Sequence, residues 1–456
     1  MSSLPLVSHA SPDSIIAWRA DGAVTLRQFL AEVRQLAGLF PAGSHLLNMC
    51  SDRFRFSVGL AAAIVAGKVS LLPSTHTPGV VRQIKDFAAD VFCLTDSDHC
   101  TVDLPQLRYP VMSVNQPDTF AIPQIDSQQR VAVVFTSGST GAPLPHPKTW
   151  GALVGCVQAE ALRLGLLRNT LCTVIGTVPP QHMYGFESTV LMAWHNGNAL
   201  SHAQPFYPAD ICQALAAVPA PRVLVSSPVH LRALLDARLA LPEITRVVSA
   251  TAPLSTQLAQ DVEARCKAPL IEIYGSTETG QIASRRPAQS AQWQLFPGIK
   301  FVVEGDRVRA CGGHIETSVA LSDMIEPVTD EHFLLHGRIA DLVNIAGKRH
   351  SLAGLNHLLN SIPGVVDGAF YMPDETGDEH NRHNEHNGHI TRLAACVVAP
   401  GLDAPHLLAA LREHIDPVFL PRPLLLVDAL PRNVTGKLPR AALQALFQTR
   451  SARPSA

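Results

Sequence analysis

Short apolar runs alternate with longer amphipathic segments through most of the chain, and this alternation restricts the possible folds more than any other feature. The apolar runs are short, rich in Val and Ile, and bounded by turn or helix signals, as buried strands are. The predicted strands are Val131–Phe135, Leu171–Val174, Arg222–Ser226 and Arg246–Ser249, and the helical segments between them include Gly151–Leu164 and Ala209–Ala217. Strands that alternate with helices predict an α/β fold with largely parallel sheets.

The chain has 456 residues, too many for one hydrophobic core, so we expect at least two domains. From Trp293 to Phe333 short alternating strands with Gly turns predict a small β subdomain. A further boundary is predicted at Gly337–Asp341. The last part has its own predicted strands and helices, which are Gly368–Tyr371, Ala394–Val398, Ala404–His414 and Arg440–Phe447. We therefore predict a large N-terminal domain of layered α/β sheets over 1–336, a hinge at 337–341 and a small α+β domain over 342–456.

The composition excludes several classes of protein. Apolar residues make up 46% and charged residues 16% of the chain, as in globular proteins, and the net charge of -2 favours neither nucleic acid nor an anionic membrane as a partner. The apolar stretch Val58–Leu72 is broken by Gly67 and Lys68, so it predicts a buried helix leading into a strand rather than a membrane span. The N-terminus lacks a secretory signal and the nine cysteines are scattered, so we expect a cytoplasmic protein with reduced thiols.

A polar segment, Glu379–His389, contains several histidines. Imidazoles are good ligands for zinc, nickel or copper, so a metal site is one interpretation. The other interpretation is a surface loop between two strands, because no apolar residue or supporting shell holds the histidines in place. The sequence favours the loop and leaves the metal site open.

A loop rich in Gly, Ser and Thr follows the apolar run Val131–Val134 directly. It contains Thr136, Ser137, Gly138, Ser139, Thr140 and Gly141. Such a loop offers backbone N–H groups and hydroxyls to phosphate oxygens, and its glycines permit a close approach of the backbone. Lys148, a few residues later, is a candidate counter-charge. The spacing differs from the GxxxxGK[ST] phosphate loop.

This segment resembles the phosphate-binding motif of the adenylate-forming, AMP-binding superfamily, which includes acyl-CoA synthetases and aryl acid ligases. The family motif reads TSGSTGxPK, whereas here Leu144-Pro145-His146-Pro147 delays the Lys to position 148. The delay is similar to that in a bacterial subgroup of acyl ligases from aryl polyene and xanthomonadin pigment clusters. The resemblance covers about residues 10 to 445 and implies ATP and Mg²⁺ as cofactors.

Three further segments resemble family motifs in the family's order. In Pro179–Gly185, His182 is implied to lie beside the acyl carboxylate, with Tyr184 and Gly185 in the substrate pocket. Ser249–Leu254 resembles the SGGAPL turn. There the resemblance places Ser249 and Ala250 at the acid, and Ala250, Thr251 and Ala252 at the nucleotide, with Ala and Thr in place of the glycines.

Tyr274-Gly275-Ser276-Thr277-Glu278 resembles YGxTE. The resemblance implies that Tyr274 stacks on adenine beside Gly275, that the Thr277 hydroxyl binds the α-phosphate, and that Glu278 holds Mg²⁺ as a hard oxygen ligand. Thr277 and Glu278 are thereby implied in catalysis.

The remaining motifs lie toward the C-terminus. Asp323 stands where the family has the ribose-binding Asp, and Arg338 in Gly337–Asp341 corresponds to the Arg that contacts ribose or phosphate. The family's hinge Asp is replaced by Ala340, with Asp341 beside it. Gly347 belongs to the implied thiol-transfer loop. Pro431–Arg440 resembles PxxxxGKxxR, which implies that Lys437 bridges the acyl carboxylate and the α-phosphate during adenylation.

The resemblance implies an ATP-dependent acid–thiol ligase with a mobile C-terminal domain. The implied substrate is a carboxylic acid, preferably aromatic and similar to a hydroxybenzoate or hydroxycinnamate, and the implied acceptor is the phosphopantetheine thiol of an acyl carrier protein. Free coenzyme A is the alternative acceptor. Two other functions stay open, a catalytically silent nucleotide-binding relative and a phosphotransferase that releases ADP. The oligomeric state is not predicted.

Overall fold

The structure is a computed structural model that describes residues 2–112, 120–137, 143–166, 171–305, 307–338, 342–345, 348–373, 392–433, 436 and 438–451. The chain divides into two compact units. The first comprises Met1–Leu254, Leu258–Val302 and Arg309–Val319, and the second comprises Ser255–Gln257, Val303–Val308 and Ala320–Ala456. The predicted hinge residues Ala340 and Asp341 lie outside the described residues, so the boundary at 337–341 stays a prediction.

The elements follow one another in α/β alternation. The strands up to residue 149 are β1 (Ser3–Pro5), β2 (Ile15–Arg19), β3 (Gly22–Thr25), β4 (His45–Asn48), β5 (Val69–Leu72), β6 (Val91–Thr95), β7 (Gln106–Arg108), β8 (Gln124–Asp126), β9 (Arg130–Ser137) and β10 (Pro143–Thr149). The following strands up to residue 320 are β11 (Thr173–Gly176), β12 (Ala199–Ser201), β13 (Arg222–Ser226), β14 (Arg246–Ser249), β15 (Leu270–Ser276), β16 (Gly280–Arg285), β17 (Trp293–Leu295), β18 (Ile299–Glu304), β19 (Arg307–Gly312) and β20 (Ile315–Ala320). The last strands are β21 (Asp323–Pro327), β22 (His332–Arg338), β23 (Leu342–Ile345), β24 (Lys348–Ser351), β25 (Asp367–Tyr371), β26 (Ala394–Val398) and β27 (Leu424–Leu426).

Helices connect most of these strands. They are α1 (Leu26–Leu39), α2 (Arg53–Val65), α3 (Pro78–Phe87), α4 (Trp150–Leu164), α5 (Met183–Gly185), α6 (Met192–His195), α7 (Pro208–Ala216), α8 (Pro228–Asp236), α9 (Thr256–Cys266), α10 (Leu352–Ser361), α11 (Ala404–Arg412) and α12 (Arg440–Ser451). A π-helical segment, Phe186–Leu191, joins α5 to α6, and a 3₁₀ turn spans Pro417–Phe419. In the described part of the chain no helix is both long and apolar enough to cross a membrane.

Two sheets form the body of the first unit. One has the order β10-β9-β5-β4-β6-β7, in which β9, β5, β4, β6 and β7 are parallel and β10 is antiparallel to β9. In the other, the strands that lie in the first unit follow the order β17-β16-β15-β14-β13-β11-β12-β2-β3, with a parallel centre from β15 to β2. Strands β18, β19 and β20 form a smaller three-stranded sheet. The prediction of an α/β fold with largely parallel sheets is confirmed.

Apolar side chains fix these sheets against their helices. Leu47, Leu71 and Val133 of the first sheet pack in one buried cluster with Ile84 of α3. A second cluster joins strands and helices of the other sheet, and includes Ile175, Leu215, Leu224, Val247 and Leu258. Because these strands are covered by helices, they are almost continuously apolar, which is why their short Val- and Ile-rich runs were visible in the sequence.

The second unit contains shorter strands and two cores. Strands β21 and β22 are antiparallel, as are β23 and β24, and the third sheet has the order β25-β26-β27. One core collects Leu355, Val397 and Leu411, and the other includes Tyr371 and Phe447, whose rings stack 5.3 Å apart. The predicted α+β character of this part is therefore confirmed.

Most predicted elements agree with the observed bounds within two residues. Helix α12 is an exception, because it continues four residues beyond the predicted end at Phe447. The strand predicted at Leu171–Val174 is placed two residues early, because β11 begins at Thr173. Leu171 has φ 30 and is 68% exposed, so its backbone is not extended and its side chain does not enter the core. The Glu379–His389 segment lies outside the described residues, and its two interpretations stay open.

Candidate active site

A β-hairpin carries the described part of the phosphate-loop motif. Strand β9 leads into the loop and β10 returns antiparallel to it at the edge of the sheet. Pro143, Pro145 and Pro147 alternate along β10, which an edge strand tolerates because each missing N–H is on its unpaired side. Leu144, His146 and Lys148 consequently share the other face of the strand. This face carries the two basic residues of β10.

His146 joins two residues that the sequence analysis assigned to nucleotide and metal. Its Nε2 lies 2.9 Å from the Thr136 hydroxyl and 3.9 Å from Oε1 of Glu278. Register explains the first contact, because Thr136 pairs with Leu144 and is thus a diagonal neighbour of His146. Burial lowers the pKa of His146, with Glu278 opposing that effect and Lys148 adding to it.

Lys148 turns its ammonium group to the backbone of the YGSTE turn. Its Nζ donates to the carbonyl oxygens of Thr277, at 2.5 Å, and Glu278, at 3.4 Å. Only 8% of this residue is exposed, and burial lowers its pKa although the acidic neighbours, Glu187 among them, oppose the shift. Lys148 therefore stabilises the turn that presents Thr277 and Glu278.

The turn itself is a tight connection between β15 and β16. The Ser276 and Thr279 backbone N–H groups each donate to the other residue's hydroxyl, at 3.2 Å in both cases. A Cβ on Gly275 would lie 2.2 Å from the Gly280 carbonyl oxygen, so this position admits only glycine. The geometry leaves Thr277 half-buried and Glu278 exposed at the end of the hairpin.

Glu278 has the properties of an oxygen ligand for a hard cation. Its side chain is 46% exposed. Burial raises its pKa, but hydrogen bonds from its own backbone N–H and from Ser276, together with the charges of His146 and Lys148, outweigh this and lower it overall. Among the described residues no cluster of three or more His, Cys, Asp or Glu side chains is arranged to hold a metal. A single carboxylate fits Mg²⁺, which keeps water and phosphate oxygens as its other ligands.

The predicted substrate motif surrounds the start of α5. His182 is half-buried at the N-cap of this helix, and Tyr184 is buried. A Cβ on Gly185 would lie 2.1 Å from the Pro179 carbonyl oxygen, so a side chain there would displace the motif. Arg53, fully buried, donates to the carbonyl oxygens of Gly176 and Val178, at 2.8 and 3.1 Å, and holds the segment that precedes the motif.

Two buried carboxyl groups lie next to this motif. Glu187 follows it in the π-helical segment and accepts a hydrogen bond from the Cys156 thiol at 3.1 Å. Ser188 donates to Glu160 at 2.6 Å and accepts from the Gln281 amide at 2.9 Å. Burial raises the pKa of Glu160 to about 8 and that of Glu187 to about 7.

A cleft of about 440 Å³ brings several of these groups together. Its lining includes the polar residues His146, Lys148 and Glu278, and also Leu153, Cys156, Met183 and Glu187. His314 also lines it; its Nε2 lies 3.2 Å from the Thr279 carbonyl oxygen, and burial lowers its pKa to about 4. His146, Cys156 and His314 were not among the site residues predicted from the sequence. The period-two spacing of His146 and Lys148 was the signal available for the first of them.

The SGGAPL-like turn keeps a left-handed backbone conformation, which glycine adopts easily, although no glycine is present. Ser249 and Ala250 are buried at the end of β14, and Ala252 is half-buried. Thr251 has φ 81, a left-handed conformation that a β-branched residue rarely adopts. The backbone is thus maintained against steric strain at the position where the family motif has Gly.

The remaining predicted residues divide into two groups. Tyr274 is half-buried with its ring 5.6 Å from that of Trp293, and in the second unit Asp323 pairs with Arg338 across β21 and β22. The residues outside the described part of the chain are Gly138, Ser139, Thr140, Gly141, Ala340, Asp341, Gly347 and Lys437. The side chains of Ser137 and Arg338 are likewise not described. Their predicted roles stay predictions.

Comparison with known proteins agrees with the fold and with the motifs. The family model for AMP-binding enzymes matches residues 8–311. A 4-coumarate–CoA ligase of Halorhodospira halophila is 31% identical over 322 residues, which are 68% of this chain and 76% of that protein. A 4-coumarate–CoA ligase of Rhodobacter capsulatus is 31% identical over 242 residues, which are 52% of this chain but only 60% of the relative's length.

The fold extends over nearly the whole chain. The structure of o-succinylbenzoate coenzyme A synthetase from Bacillus subtilis, in complex with ATP and magnesium ion, has a TM-score of 0.77 at 18% identity and covers 95% of this chain and 97% of its own. This similarity demonstrates the same α/β fold with a large N-terminal and a small C-terminal domain. On the family match, the relatives and the arrangement of the motifs, the chain belongs to the AMP-binding enzyme family.

Proposed function

We propose that this protein is an AMP-forming acid–thiol ligase that activates a carboxylic acid as its acyl-adenylate and then transfers the acyl group to a thiol. The observation that carries the proposal is the cleft lined by the phosphate-loop hairpin, the YGSTE turn and the substrate motif. This lining offers groups that can bind the phosphates and groups that can bind the acid within one cavity. Adenylation requires both reactants to be held in contact.

In the first half-reaction a carboxylate oxygen attacks the α-phosphorus of ATP, the new O–P bond forms, and the bond to pyrophosphate breaks. The residues 136–141 cradle phosphate oxygens, Thr277 donates to the α-phosphate, and Tyr274 stacks on adenine beside Gly275 and the 250–252 turn. Glu278 would hold Mg²⁺, which when bound would supply positive charge against the phosphates. Asp323 and Arg338 bind ribose and phosphate.

The C-terminal domain supplies different residues to each half-reaction. Lys437 bridges the acyl carboxylate and the α-phosphate while negative charge develops there. Rotation about Ala340 and Asp341 then withdraws Lys437 and presents the loop of Gly347. In the second half-reaction the thiol sulfur attacks the acyl carbon, the C–O bond of the mixed anhydride breaks, and AMP leaves with the thioester formed.

The substrate is an aromatic acid with a hydrogen-bond donor on its ring, of the hydroxybenzoate or hydroxycinnamate type. His182 lies beside its carboxylate, and Tyr184, Gly185, Ser249 and Ala250 complete the pocket. Met183 and Leu153 offer apolar contacts to a ring, whereas Glu187 offers a buried acceptor in the same cleft. Glu187 accepts from the Cys156 thiol and also has a hydrogen bond with the Gln281 side chain. Because burial of a carboxyl group is costly, a hydrogen-bond donor on the substrate is favoured as a further partner. The activity of the aligned 4-coumarate–CoA ligases also supports an aromatic acid.

The thiol belongs to the phosphopantetheine of an acyl carrier protein in the cytoplasm. The delayed Lys supports this choice through its resemblance to ligases of aryl polyene and xanthomonadin pigment clusters. Coenzyme A is the alternative acceptor, and the activity of the aligned relatives supports it. Thioester formation from each thiol, measured by mass spectrometry, separates the two.

The experiment that tests the ligase is acid-dependent ATP–pyrophosphate exchange with benzoates, cinnamates, fatty acids and amino acids. We expect exchange with 4-hydroxy- and 4-aminobenzoates or the corresponding cinnamates, and weaker exchange with 4-methoxy acids, which cannot donate. Glu187→Leu should reduce this preference about tenfold or more. Exchange with none of the acids, while ATP still binds, would support the silent relative, and ADP in place of AMP as product would support a phosphotransferase.

A further inference from the structure

Strand β10 places two basic residues at different distances from the phosphate loop. Residues of a strand rise by about 3.3 Å each, so His146 lies about 7 Å and Lys148 about 13 Å beyond Leu144, the position of the family's Lys. All three side chains lie on the same face of the strand, opposite Pro145 and Pro147. The Lys is therefore displaced by four residues along β10 from the family position, and its side chain stays on the same face of the strand.

Lys148 is held in its position by hydrogen bonds. Its ammonium donates to the carbonyl oxygens of Thr277 and Glu278, at 2.5 and 3.4 Å, and the residue is 8% exposed. Reaching the loop would leave these two carbonyl oxygens without their donor and would move a buried side chain out along the strand. Such a rearrangement is unfavourable, because the hydrogen bonds that the charged ammonium donates would be lost.

His146 lies between the residues that are proposed to face the phosphates. Its Nε2 is 2.9 Å from the Thr136 hydroxyl and 3.9 Å from Glu278, and its side chain is 18% exposed at the wall of the cleft. Thr136 is at the end of β9, next to the loop. The Nε2 atom that contacts the Thr136 hydroxyl belongs to a residue that lines the cleft, so a phosphate oxygen entering the cleft can replace that hydroxyl as the partner of Nε2.

We propose that His146 is the basic residue of the phosphate loop and donates a hydrogen bond to a phosphate oxygen of ATP, while Lys148 supports the turn that carries Thr277 and Glu278. This inference rests on the proposed ATP site but not on the identity of the acid or thiol. It assigns the two basic residues of β10 to different tasks. A histidine two positions further along β10 thereby takes the place of the family's lysine at the nucleotide.

Direct titration of ATP and of adenosine into the full-length protein, followed by calorimetry, tests the assignment without any acid substrate. We expect His146→Ala to weaken ATP binding about 10- to 100-fold, as for loss of a hydrogen bond to a charged group, and to leave adenosine affinity within twofold. His146→Asn, which retains a donor, should recover part of the affinity. Lys148→Met should lower the melting temperature, whereas His146→Ala should not.

A compensating variant makes the test specific. Leu144 is 53% exposed, so Leu144→Lys is tolerated there and places an ammonium at the family position. In the His146→Ala background it should restore ATP affinity to within about threefold of wild type. Unchanged ATP affinity in His146→Ala, an equal loss for ATP and adenosine, or the absence of rescue by Leu144→Lys would overturn the proposal. Failure of the ligase itself is separate, because it appears as absent pyrophosphate exchange in a wild type that still binds ATP.

Discussion

The buried carboxyl group of Glu160 makes the stability of the first unit depend on pH. Glu160 is fully buried, and burial raises its pKa from the ordinary value of 4.5 to about 8. The folded protein therefore binds a proton that the unfolded chain has released. The stability that this proton contributes is fully present below pH 4.5 and is lost as the pH rises toward 8.

The size of this loss follows from the two pKa values. Between pH 5.5 and 7.5 the folded state loses roughly 2–3 kcal/mol of stability relative to the unfolded state, in which Glu160 ionises, since one unit of pKa corresponds to about 1.4 kcal/mol. Glu160→Gln keeps the acceptor for Ser188 but cannot ionise. The substitution should therefore stabilise the protein relative to wild type by this amount more at pH 7.5 than at pH 5.5. For a unit of about 300 residues this corresponds to about 4 °C in melting temperature.

The assay is thermal unfolding followed by circular dichroism or dye fluorescence at a series of pH values. Glu243→Gln, on an exposed loop, is the matched control and should give a curve parallel to that of wild type. Parallel curves for wild type and Glu160→Gln would refute the reasoning, because they would mean that this carboxyl binds the same number of protons in both states.

Three further predictions concern the turns and the C-terminal motif. Gly275→Ala should destabilise the protein by more than about 3 kcal/mol, because the new Cβ would lie 2.2 Å from the Gly280 carbonyl oxygen. Gly38→Ala is the control, because a Cβ at Gly38 has no atom within 4 Å. Equal melting temperatures for the two variants would contradict the predicted clash. Thr251→Gly should raise the free energy of unfolding by about 1 kcal/mol, because the strain of a β-branched residue at φ 81 is greater than the cost of the extra chain entropy of Gly. A lower melting temperature for this variant would exclude stored strain at Thr251. Lys437→Ala should abolish pyrophosphate exchange but retain thioester formation from supplied acyl-adenylate, and equal loss of both half-reactions would disprove the division of labour.

Local patterns predicted most of the fold because buried strands and amphipathic helices have different periods. The runs Arg222–Ser226 and Arg246–Ser249 agree with β13 and β14 residue for residue. Leu171 was misplaced because nothing in its residue type indicates a left-handed backbone. The order of the motifs identified the family. Each motif is a contiguous stretch of sequence, so its backbone geometry is largely local. Gly275 and Gly185 illustrate this, because each lies where the backbone of its own motif leaves no room for a Cβ.

The sequence by itself determined the α/β class, the family and the segments that contribute to the site. Only the tertiary structure decided which side chains meet. His146 and Glu278 are far apart in the chain, and so are Cys156 and Glu187, yet each pair lies within one cleft. Hydrophobic patterning specifies which face of an element is buried, but the pairing of elements depends on the packing of the whole unit. The raised pKa values of Glu160 and Glu187 have the same origin, because desolvation is a property of the surrounding core and not of the residue itself.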